Sequence, residues 1–459
     1  MERGHGLIGL KRGQLRFWPL VMVFFFTVSG GPFGLEEAVR ESGGAGALLL
    51  IAIVPIAWAL PIALMSCELT SAIPAEGGFY VWVKRALGPF WGFQCAWWTW
   101  LTSFAEVAIY AHLSAGYVGS LLSEQFGWVA FDSDFVRWLL SLVAIWVCVG
   151  INIRGAKAVG ANSIVFAVLL LLPLFAMVVV GLIKVASGGG AAPHLSLAPN
   201  GQSSSAVLTA GLFIVMWNYY GWDTPSAVAE EIKDPQRSYV KATFVALMLI
   251  AVTYLLVVFV GLCFQPNADQ WSDDSLPTIG GLVGGPWLGL AVFIAAIVSQ
   301  IGLFNACLMS YSRMPFVMAN DGYMPEVLTR THKVYGTPAV AIILSAVIYS
   351  LLSYQEFSFL ISLSVITYSA AVVLEFIALW VLRLREPGLH RPFKVPGSWI
   401  GLTAVCLLPF AIIIGAIAGE DPNGLVVPLL ALLSGSVCFL IAKKFLRPTV
   451  NATESTPHE

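Results

Sequence analysis

Apolar segments of about 20 residues follow one another along almost the whole chain, and this pattern leaves few folds open. A transmembrane α-helix needs about 20 consecutive, predominantly apolar residues. The chain of 459 residues is 58% hydrophobic and 11% charged, whereas soluble domains average about 25% charged residues. We find twelve candidate spans, near 16–42, 46–72, 89–122, 136–153, 161–184, 205–231, 239–264, 284–312, 337–354, 357–383, 399–418 and 424–446. The sequence therefore predicts an all-α polytopic membrane protein with twelve transmembrane helices.

Basic residues are distributed unevenly between the predicted loops. With twelve spans, all but three of the 24 basic residues lie on the same side of the membrane as the two termini, and the exceptions are Arg40, Arg137 and Lys184. Loops rich in lysine and arginine stay in the cytoplasm. We therefore expect both termini to be cytoplasmic, in a plasma membrane or a bacterial inner membrane.

Acidic residues, unlike basic ones, occur inside the predicted spans. They are Glu36, Glu37, Glu106 and Asp223 near mid-depth, and Glu68, Glu230, Glu231 and Glu375 nearer the cytoplasmic ends. A buried charge without a partner costs several kcal/mol. Because no basic residue lies in the middle of a span, we expect these carboxylates to have no side-chain cation of their own. Such an interior favours protons, metal ions or organic cations as its occupants.

The sequence contains no motif for soluble-enzyme chemistry or nucleotide binding. The six histidines are scattered without an HExxH pattern, and the seven cysteines lie singly in apolar segments without a CxxC pair. A Walker motif is also lacking, so ATP does not drive the protein directly. We expect no enzyme activity, no cofactor, no resident metal and no nucleic-acid partner.

Two predicted spans are interrupted near mid-depth. Span one contains VSGGPFGLEE (28–37), in which three glycines and a proline precede two acids. Span six stops at NYYGW (218–222), and Asp223 with the following Thr-Pro has the features of a new helix start. Paired discontinuous helices in two inverted repeats mark the binding site of many secondary transporters. A kink without function is the alternative for either break alone.

Several separated motifs resemble those of the amino acid–polyamine–organocation (APC) superfamily. They are SGGPFGLEE, GGFYVWVKRALGPFWGFQ, NYYGWD with AEEIKDPQRSYVKA after it, SYSRMPFVMANDGYMPEVL and REPGLHRPFKVP. The resemblance runs from about Trp18 to Leu446, and it is closest to the polyamine uptake transporter branch and its bacterial relatives. It implies a leucine-transporter-like fold, a 5+5 inverted repeat with broken helices 1 and 6.

This arrangement divides the chain into six parts. They are a cytoplasmic N-terminal tail (1–15), a first five-helix repeat (16–184), an extracellular loop (185–204), a second five-helix inverted repeat (205–383), helices 11 and 12 with their preceding loop (384–446), and a cytoplasmic C-terminal tail (447–459). We also expect short surface helices near 77–86 and 315–330, after spans two and eight.

The resemblance also implies which residues contact the substrate. The first break contributes Gly30, Gly31, Pro32, Phe33 and Gly34. The second break contributes Tyr219, Tyr220, Gly221, Trp222 and Asp223, and spans three, eight and ten complete the pocket. The acids Glu36, Glu37 and Glu106 join this set because of their charge and depth.

Energy coupling is expected to use a carboxylate. Some proton-coupled members of the superfamily carry a lysine within span five, but the matching stretch here is apolar, with Val168 at about that place. The expected proton carrier is Glu106, and Glu68 and Glu375 are further candidates.

The acids beside the breaks indicate a cationic substrate. Exposed N–H groups at a helix N-terminus attract anions, but here the protein supplies the negative charge itself, so a substrate carboxylate would be repelled. The rings of Trp217, Tyr219, Tyr220 and Trp222 offer cation–π contacts of about 0.5–2 kcal/mol each. We therefore expect proton-coupled import of a polyamine such as putrescine or spermidine, and a loss of about 3 kcal/mol of binding when Glu37 or Asp223 is neutralised.

Milder interpretations of the same residues stay open. The acids can be dipole or N-cap residues, Glu230 and Glu231 can pair with Lys233 or Arg237, and the aromatic cluster can be bundle packing. An amino-acid transporter or exchanger of the same superfamily, an ion channel, and an inert scaffold or sensor are the alternative functions, and the oligomeric state is open.

Overall fold

The structure is a computed structural model that describes residues 10–128, 133–190, 204–272, 275–354, 357–418 and 425–446. The predicted C-terminal tail 447–459, most of the predicted loop 185–204 and the first nine residues of the predicted N-terminal tail lie outside these ranges. The described residues form sixteen α-helices: α1 (Phe17–Val28), α2 (Leu35–Val54), α3 (Leu60–Ala72), α4 (Phe79–Leu87), α5 (Pro89–Phe126), α6 (Asp134–Ile153), α7 (Ala156–Ala186), α8 (Ser204–Trp217), α9 (Pro235–Phe264), α10 (Ser275–Gly284), α11 (Pro286–Tyr311), α12 (Arg313–Asn320), α13 (Ala339–Leu352), α14 (Phe357–Arg385), α15 (Ser398–Ala418) and α16 (Val426–Phe445).

Seven stretches of the described chain are long and apolar enough to cross a membrane. They are Leu35–Ala72, Asp134–Ile153, Ala156–Ala186, Pro235–Phe264, Pro286–Asn320, Leu363–Arg385 and Val426–Phe445. Shorter apolar helices accompany them, among them α1 and α13. The predicted all-helical class is confirmed, while the total of twelve spans and their inverted repeat stay predictions.

The boundary between predicted spans one and two is a kink rather than a loop. Within α2, Gly43 has non-helical angles (φ 68°, ψ 167°). A short π-helical turn, Pro55–Ala59, then joins α2 to α3. Glycine tolerates this positive φ, so the helix kinks at Gly43 and continues beyond it.

Two short helices occur where the sequence predicts surface helices, but only one is superficial. Helix α4 has buried and exposed faces. In α12, residues 313–319 are all buried, so its predicted surface position is wrong. The reason is Arg313, whose guanidinium is drawn inward to the Glu231 carboxylate. Helix α10 was not predicted, because its glycine-rich sequence SLPTIGGLVG carries no strong helix signal.

The centre of the bundle brings the two interrupted spans together with three long helices. Helix α5 packs between α11 and α14, while α1 contacts α7, α9 and α11. The 3₁₀ turn Thr224–Ala227, which follows α8 in the chain, touches α1 and α11. Residues from all these elements therefore meet in one part of the interior.

Candidate functional site

The first helix break lies between α1 and α2, where α1 ends at Val28 and α2 begins at Leu35. Gly30 has φ +59°, and a Cβ atom there would lie 2.5 Å from the Leu303 side chain of α11. The Gly30 carbonyl accepts a hydrogen bond from the Ser299 hydroxyl. The predicted interruption is therefore present, and α11 packs closely against it because no side chain stands in between.

The second helix break follows α8, which ends at Trp217. The next helical segments are short 3₁₀ turns, Thr224–Ala227 and Ala229–Glu231. Gly221 has φ +90°, and a Cβ atom there would lie 2.8 Å from the backbone oxygen of Thr27 in α1. The second interruption is therefore also present, and it packs directly on the end of α1.

Asp223 does not cap a new α-helix. Its side chain makes no capping hydrogen bond, and the turn after it is 3₁₀. Instead, the Tyr368 hydroxyl of α14 donates to Asp223 Oδ1 at 2.6 Å, and the Gly221 N–H donates to the same hydroxyl at 2.9 Å. The predicted N-cap role is wrong because Tyr368 supplies a phenolic donor from a neighbouring helix.

Glu106 is fully enclosed in the middle of α5 and is held by two tyrosines. The Tyr110 hydroxyl donates to Oε1 at 2.7 Å, and the Tyr311 hydroxyl of α11 donates to Oε2 at 2.6 Å. The Cys307 thiol lies 3.9 Å from Oε1. Tyr220 faces the same carboxylate without a hydrogen bond of normal geometry. Glu106 thus joins α5 and α11 to the second break.

A second acidic group lies at Asp223 and Glu375. Both side chains are buried, and their carboxyl groups interact with each other. The ring of Tyr368 lies 4.5 Å from that of Tyr220, so the two tyrosines connect this pair to Glu106. No described lysine or arginine lies within 4.0 Å of these three acids.

The two adjacent acids after the first break have different surroundings. Glu36 is buried, and its Oε2 accepts a hydrogen bond from the Gly34 N–H at 2.7 Å. The Glu37 side chain is 37% exposed and pairs with Arg40 at 2.9 Å. The expectation that Glu37 lacks a cation is therefore wrong, because Arg40 lies one turn further along the same helix.

The acids that the sequence predicts near the cytoplasmic ends of the spans also have cations. Glu68 accepts from Arg383 Nε at 2.8 Å and from the Val395 N–H at 2.7 Å, and Arg391 approaches it at 3.3 Å. These contacts also correct the sequence-based expectation, because the long side chains of Arg383 in α14 and of Arg391 in the loop after it both reach Glu68. The ion pairs favour a structural role for Glu68 rather than proton coupling.

Glu231 and Glu230 are paired as well, though not with their neighbours in sequence. Arg313 Nε donates to Glu231 at 3.0 Å, and Arg12 lies 2.9 Å from Glu230. A third carboxylate, Glu76, lies 3.5 Å from Arg313. These contacts tie the N-terminal segment, α12 and the loop after α3 to the second break.

The predicted aromatic site is only partly available to a substrate. Tyr219 and Trp222 are completely buried; Trp222 donates to the Tyr219 carbonyl and stacks on Phe24, while Tyr219 packs edge-on against Tyr254. Packing therefore accounts for these two rings. Trp217, by contrast, lines a cavity beside the first break.

A cavity of about 490 Å³ opens between the first break, α5, α8 and α11. Of the predicted site residues, Phe33, Gly34 and Glu37 line it. It also reaches Tyr110, whose hydroxyl holds Glu106. The remaining predicted site residues, among them Gly31, Pro32 and Asp223, lie outside its lining.

The predicted position on span five needs one correction. Val168 is 57% exposed and points away from the breaks. The residue of α7 that faces the first break is Leu170, which would lie 3.3 Å from a Cβ atom on Gly31. This residue is apolar too, so no lysine occupies that place.

Several site residues were not predicted. Tyr110, Tyr311 and Tyr368 hold the mid-membrane acids, and Arg40 and Arg137 line the cavity. For Tyr368 a signal exists, since it lies seven residues before Glu375 and therefore on the same helical face. Tyr110 likewise lies four residues after Glu106 on α5, whereas the contact of Tyr311 with Glu106 depends on tertiary packing.

Comparison with known proteins now decides the family. A family model described as amino acid permease matches residues 19–437. The chain belongs to the amino acid permease family. A probable polyamine transporter of Arabidopsis thaliana is 33% identical over 405 residues, which cover 87% of this permease and 81% of the relative.

Two further relatives of the permease differ in what their names say they carry. Polyamine transporter PUT1 of Oryza sativa subsp. japonica is 33% identical over 439 residues, 94% of this chain and 80% of the relative. The serine/threonine exchanger SteT of Bacillus subtilis (strain 168) is 28% identical over 405 residues, 84% of this chain and 87% of the relative. The predicted membership of the APC superfamily is confirmed, and the chain is a transporter rather than an enzyme.

Proposed function

We propose that this permease imports an organic cation, most specifically a polyamine such as putrescine or spermidine, by proton symport. The observation that carries the proposal is the group of buried carboxyls, Glu106, Asp223 and Glu375, which lie beside both helix breaks and lack a cationic side chain among the described residues. A charge buried without a partner costs several kcal/mol. Substrate ammonium groups and protons supply the missing positive charge.

The first break supports an ammonium substrate over a carboxylate. Backbone N–H groups at a break attract a substrate carboxylate, but the Gly34 N–H already donates to Glu36. Tyr110 and Trp217 line the cavity, Tyr110 donates a hydrogen bond to Glu106, and the two rings can face a cation. We propose that the substrate enters this cavity and reaches Glu106 first and Asp223 second.

We further propose the topology that transport of this kind requires. The chain crosses a plasma membrane or bacterial inner membrane twelve times with both termini in the cytoplasm. Residues 16–184 and 205–383 form the two inverted repeats, and 384–446 add helices 11 and 12. The interruptions after α1 and α8, five spans apart, support the repeat.

Proton coupling follows from the lack of a nucleotide motif and from the buried acids. Moving a cation inward also gains about 2.3 kcal/mol per charge per 100 mV of membrane potential. Glu106→Gln is expected to impair uptake severely, because, among the described residues, Glu106 is the first carboxylate without a cationic partner that the substrate meets.

An amino-acid transporter or exchanger is the second candidate, and one observation favours it. Arg40 and Arg137 line the same cavity, so the entrance contains guanidinium groups that can bind a carboxylate. The relative that exchanges serine and threonine fits this alternative.

Competition uptake in proteoliposomes separates the two candidates. Labelled putrescine is offered with an excess of spermidine, spermine, arginine, leucine, methionine, serine or threonine, at an acidic outside pH. The polyamine proposal predicts saturable putrescine uptake that the polyamines inhibit and the neutral amino acids do not. Saturable uptake of a neutral amino acid that spermidine leaves unchanged would overturn it.

A further inference from the structure

Of the three acids Glu106, Asp223 and Glu375, only Glu375 receives no hydrogen bond of normal geometry from the described residues. It lies on α14, two helical turns after Tyr368, and is completely buried. Among the described residues, neither Oε1 nor Oε2 has a hydrogen-bond partner of normal geometry, and the same is true of Asp223 Oδ2, although the two carboxyl groups lie close enough to interact. A buried carboxylate without donors is strongly disfavoured in its ionised form. The electrostatic environment of Glu375 therefore calls for a proton or another cation.

The groups that face Glu375 supply no positive charge. Asp223 from the second break and Cys95 from α5 interact with it electrostatically, and Tyr368 lies on the same face of α14. Arg383, two turns further along α14, is already bound to Glu68. Two carboxyl groups in contact without a cation cannot both be ionised at low energetic cost.

Hydrogen bonding distinguishes which acids are suited to be charged. Glu106 accepts two tyrosine hydroxyls, at 2.7 and 2.6 Å, and Asp223 accepts one at 2.6 Å. Donors of this kind stabilise an ionised carboxylate. Glu375 has none, so a proton placed on this pair belongs on Glu375, whose O–H can then donate to Asp223.

We propose that Glu375, rather than Glu106, carries the co-transported proton, and that Asp223 stays ionised to receive a substrate ammonium group. This inference rests on the proposed function, since it names the coupling residue of that transport. The proton binds Glu375 as the carboxylate becomes the carboxylic acid. With the proton on Glu375 and a substrate ammonium group beside Asp223, the two residues and the ammonium together have no net charge. The occupied site can therefore be enclosed in the membrane. Release of the proton follows when the site is hydrated from the cytoplasmic side.

Proton movement measured together with substrate flux tests this assignment. Wild-type protein and Glu375→Gln are reconstituted in liposomes with an entrapped pH dye, and labelled putrescine is followed at the same time. In the wild type, an acidic outside pH accelerates uptake at least tenfold and protons enter with putrescine. In Glu375→Gln, uptake no longer responds to the pH gradient and carries no protons, whatever its absolute rate.

The conservative variant Glu375→Asp controls for a loss of transport that is caused only by misfolding of Glu375→Gln. Glu375→Asp keeps a carboxyl group at a changed distance from Asp223, so it is expected to keep proton entry with a shifted pH of half-maximal uptake. A Glu375→Gln protein that still moves protons with putrescine, or a Glu375→Asp protein with the pH profile of the wild type, overturns the inference. If wild-type protein carries no putrescine at all, it is the proposed function that fails.

Discussion

The acids of this permease fall into two regions with opposite surroundings. In the first region, Glu68 and Glu231 are each bound by an arginine, with Arg383 and Arg313 at the shortest contacts. In the middle of the bundle, Glu106, Asp223 and Glu375 are just as deeply buried but are surrounded by tyrosines, a thiol and one another.

The difference indicates two uses for a buried carboxylate. Where a guanidinium is built in, the charges hold elements of the fold together, and removing one partner is strongly destabilising. Where none is built in, the missing positive charge must come from a proton or from the transported molecule. Stability measurements should therefore respond to the first region and binding measurements to the second.

Removing Arg313 should have the largest effect on stability. Arg313→Met leaves Glu231 and Glu76 buried without their cation, which is expected to lower the free energy of unfolding by about 3–5 kcal/mol. Thermal unfolding in detergent measures this. The matched control is Arg85→Gln, whose pair with Glu386 is partly exposed and is worth only about 0.2–1 kcal/mol. Equal melting temperatures for the two variants would break the comparison.

Neutralising Asp223 should have the largest effect on binding. Asp223→Asn keeps the size of the side chain and the hydrogen bond from Tyr368, but removes the negative charge. We expect putrescine binding to weaken by about 3 kcal/mol, or roughly 150-fold, while the melting temperature stays close to that of the wild type. Equilibrium binding of labelled putrescine gives the number, and unchanged affinity in a folded variant would contradict the role of Asp223.

The pH dependence of folding stability tests the Glu76 carboxyl, which lies beside Arg313 in the first region. Burial raises its pKa well above the usual range, the Glu231 carboxylate raises it further, and Arg313 opposes the shift. A carboxyl whose pKa is higher in the folded state stabilises the fold at low pH, and this contribution is lost as the pH rises through the folded-state pKa. Each unit of such a shift corresponds to about 1.4 kcal/mol.

Glu76→Gln should therefore flatten the decline of stability that occurs as the pH rises above the ordinary pKa of glutamate. Melting temperatures of the variant and the wild type, taken over a pH series, should diverge as the pH rises, with the variant the more stable. Parallel curves would show that Glu76 stays ionised beside Arg313.

Glu37 should give the smallest effect. It is partly exposed and paired with Arg40, and exposed pairs are worth about 0.2–1 kcal/mol. Glu37→Gln is expected to change putrescine affinity by less than about fivefold. This replaces the loss of about 3 kcal/mol that the sequence alone suggested, and a change as large as that of Asp223→Asn would place Glu37 in the binding region after all.

The sequence predicted best those elements whose signal lies in a short stretch of neighbouring residues. The glycines within 30–34 mark the first break and Gly221 marks the second, because positive φ angles strongly favour glycine. The long apolar runs likewise predict the helices. Distant partners of the acids could not be predicted, since Arg313 and Glu231 are 82 residues apart in the chain and meet only through tertiary packing. The same holds for Tyr368, which a helical-face argument places near Glu375 but not against Asp223.

The most direct test of the central claim compares a diamine with a matched monoamine at equilibrium. Putrescine and butylamine share a four-carbon chain, but only putrescine presents a second ammonium group to the mid-membrane carboxyls. We predict that wild-type protein binds putrescine at least tenfold more tightly than butylamine, and that Asp223→Asn removes this advantage. Equal affinity for the two amines in the wild type, or an advantage that survives Asp223→Asn, would show that the unpaired carboxyls do not bind the substrate.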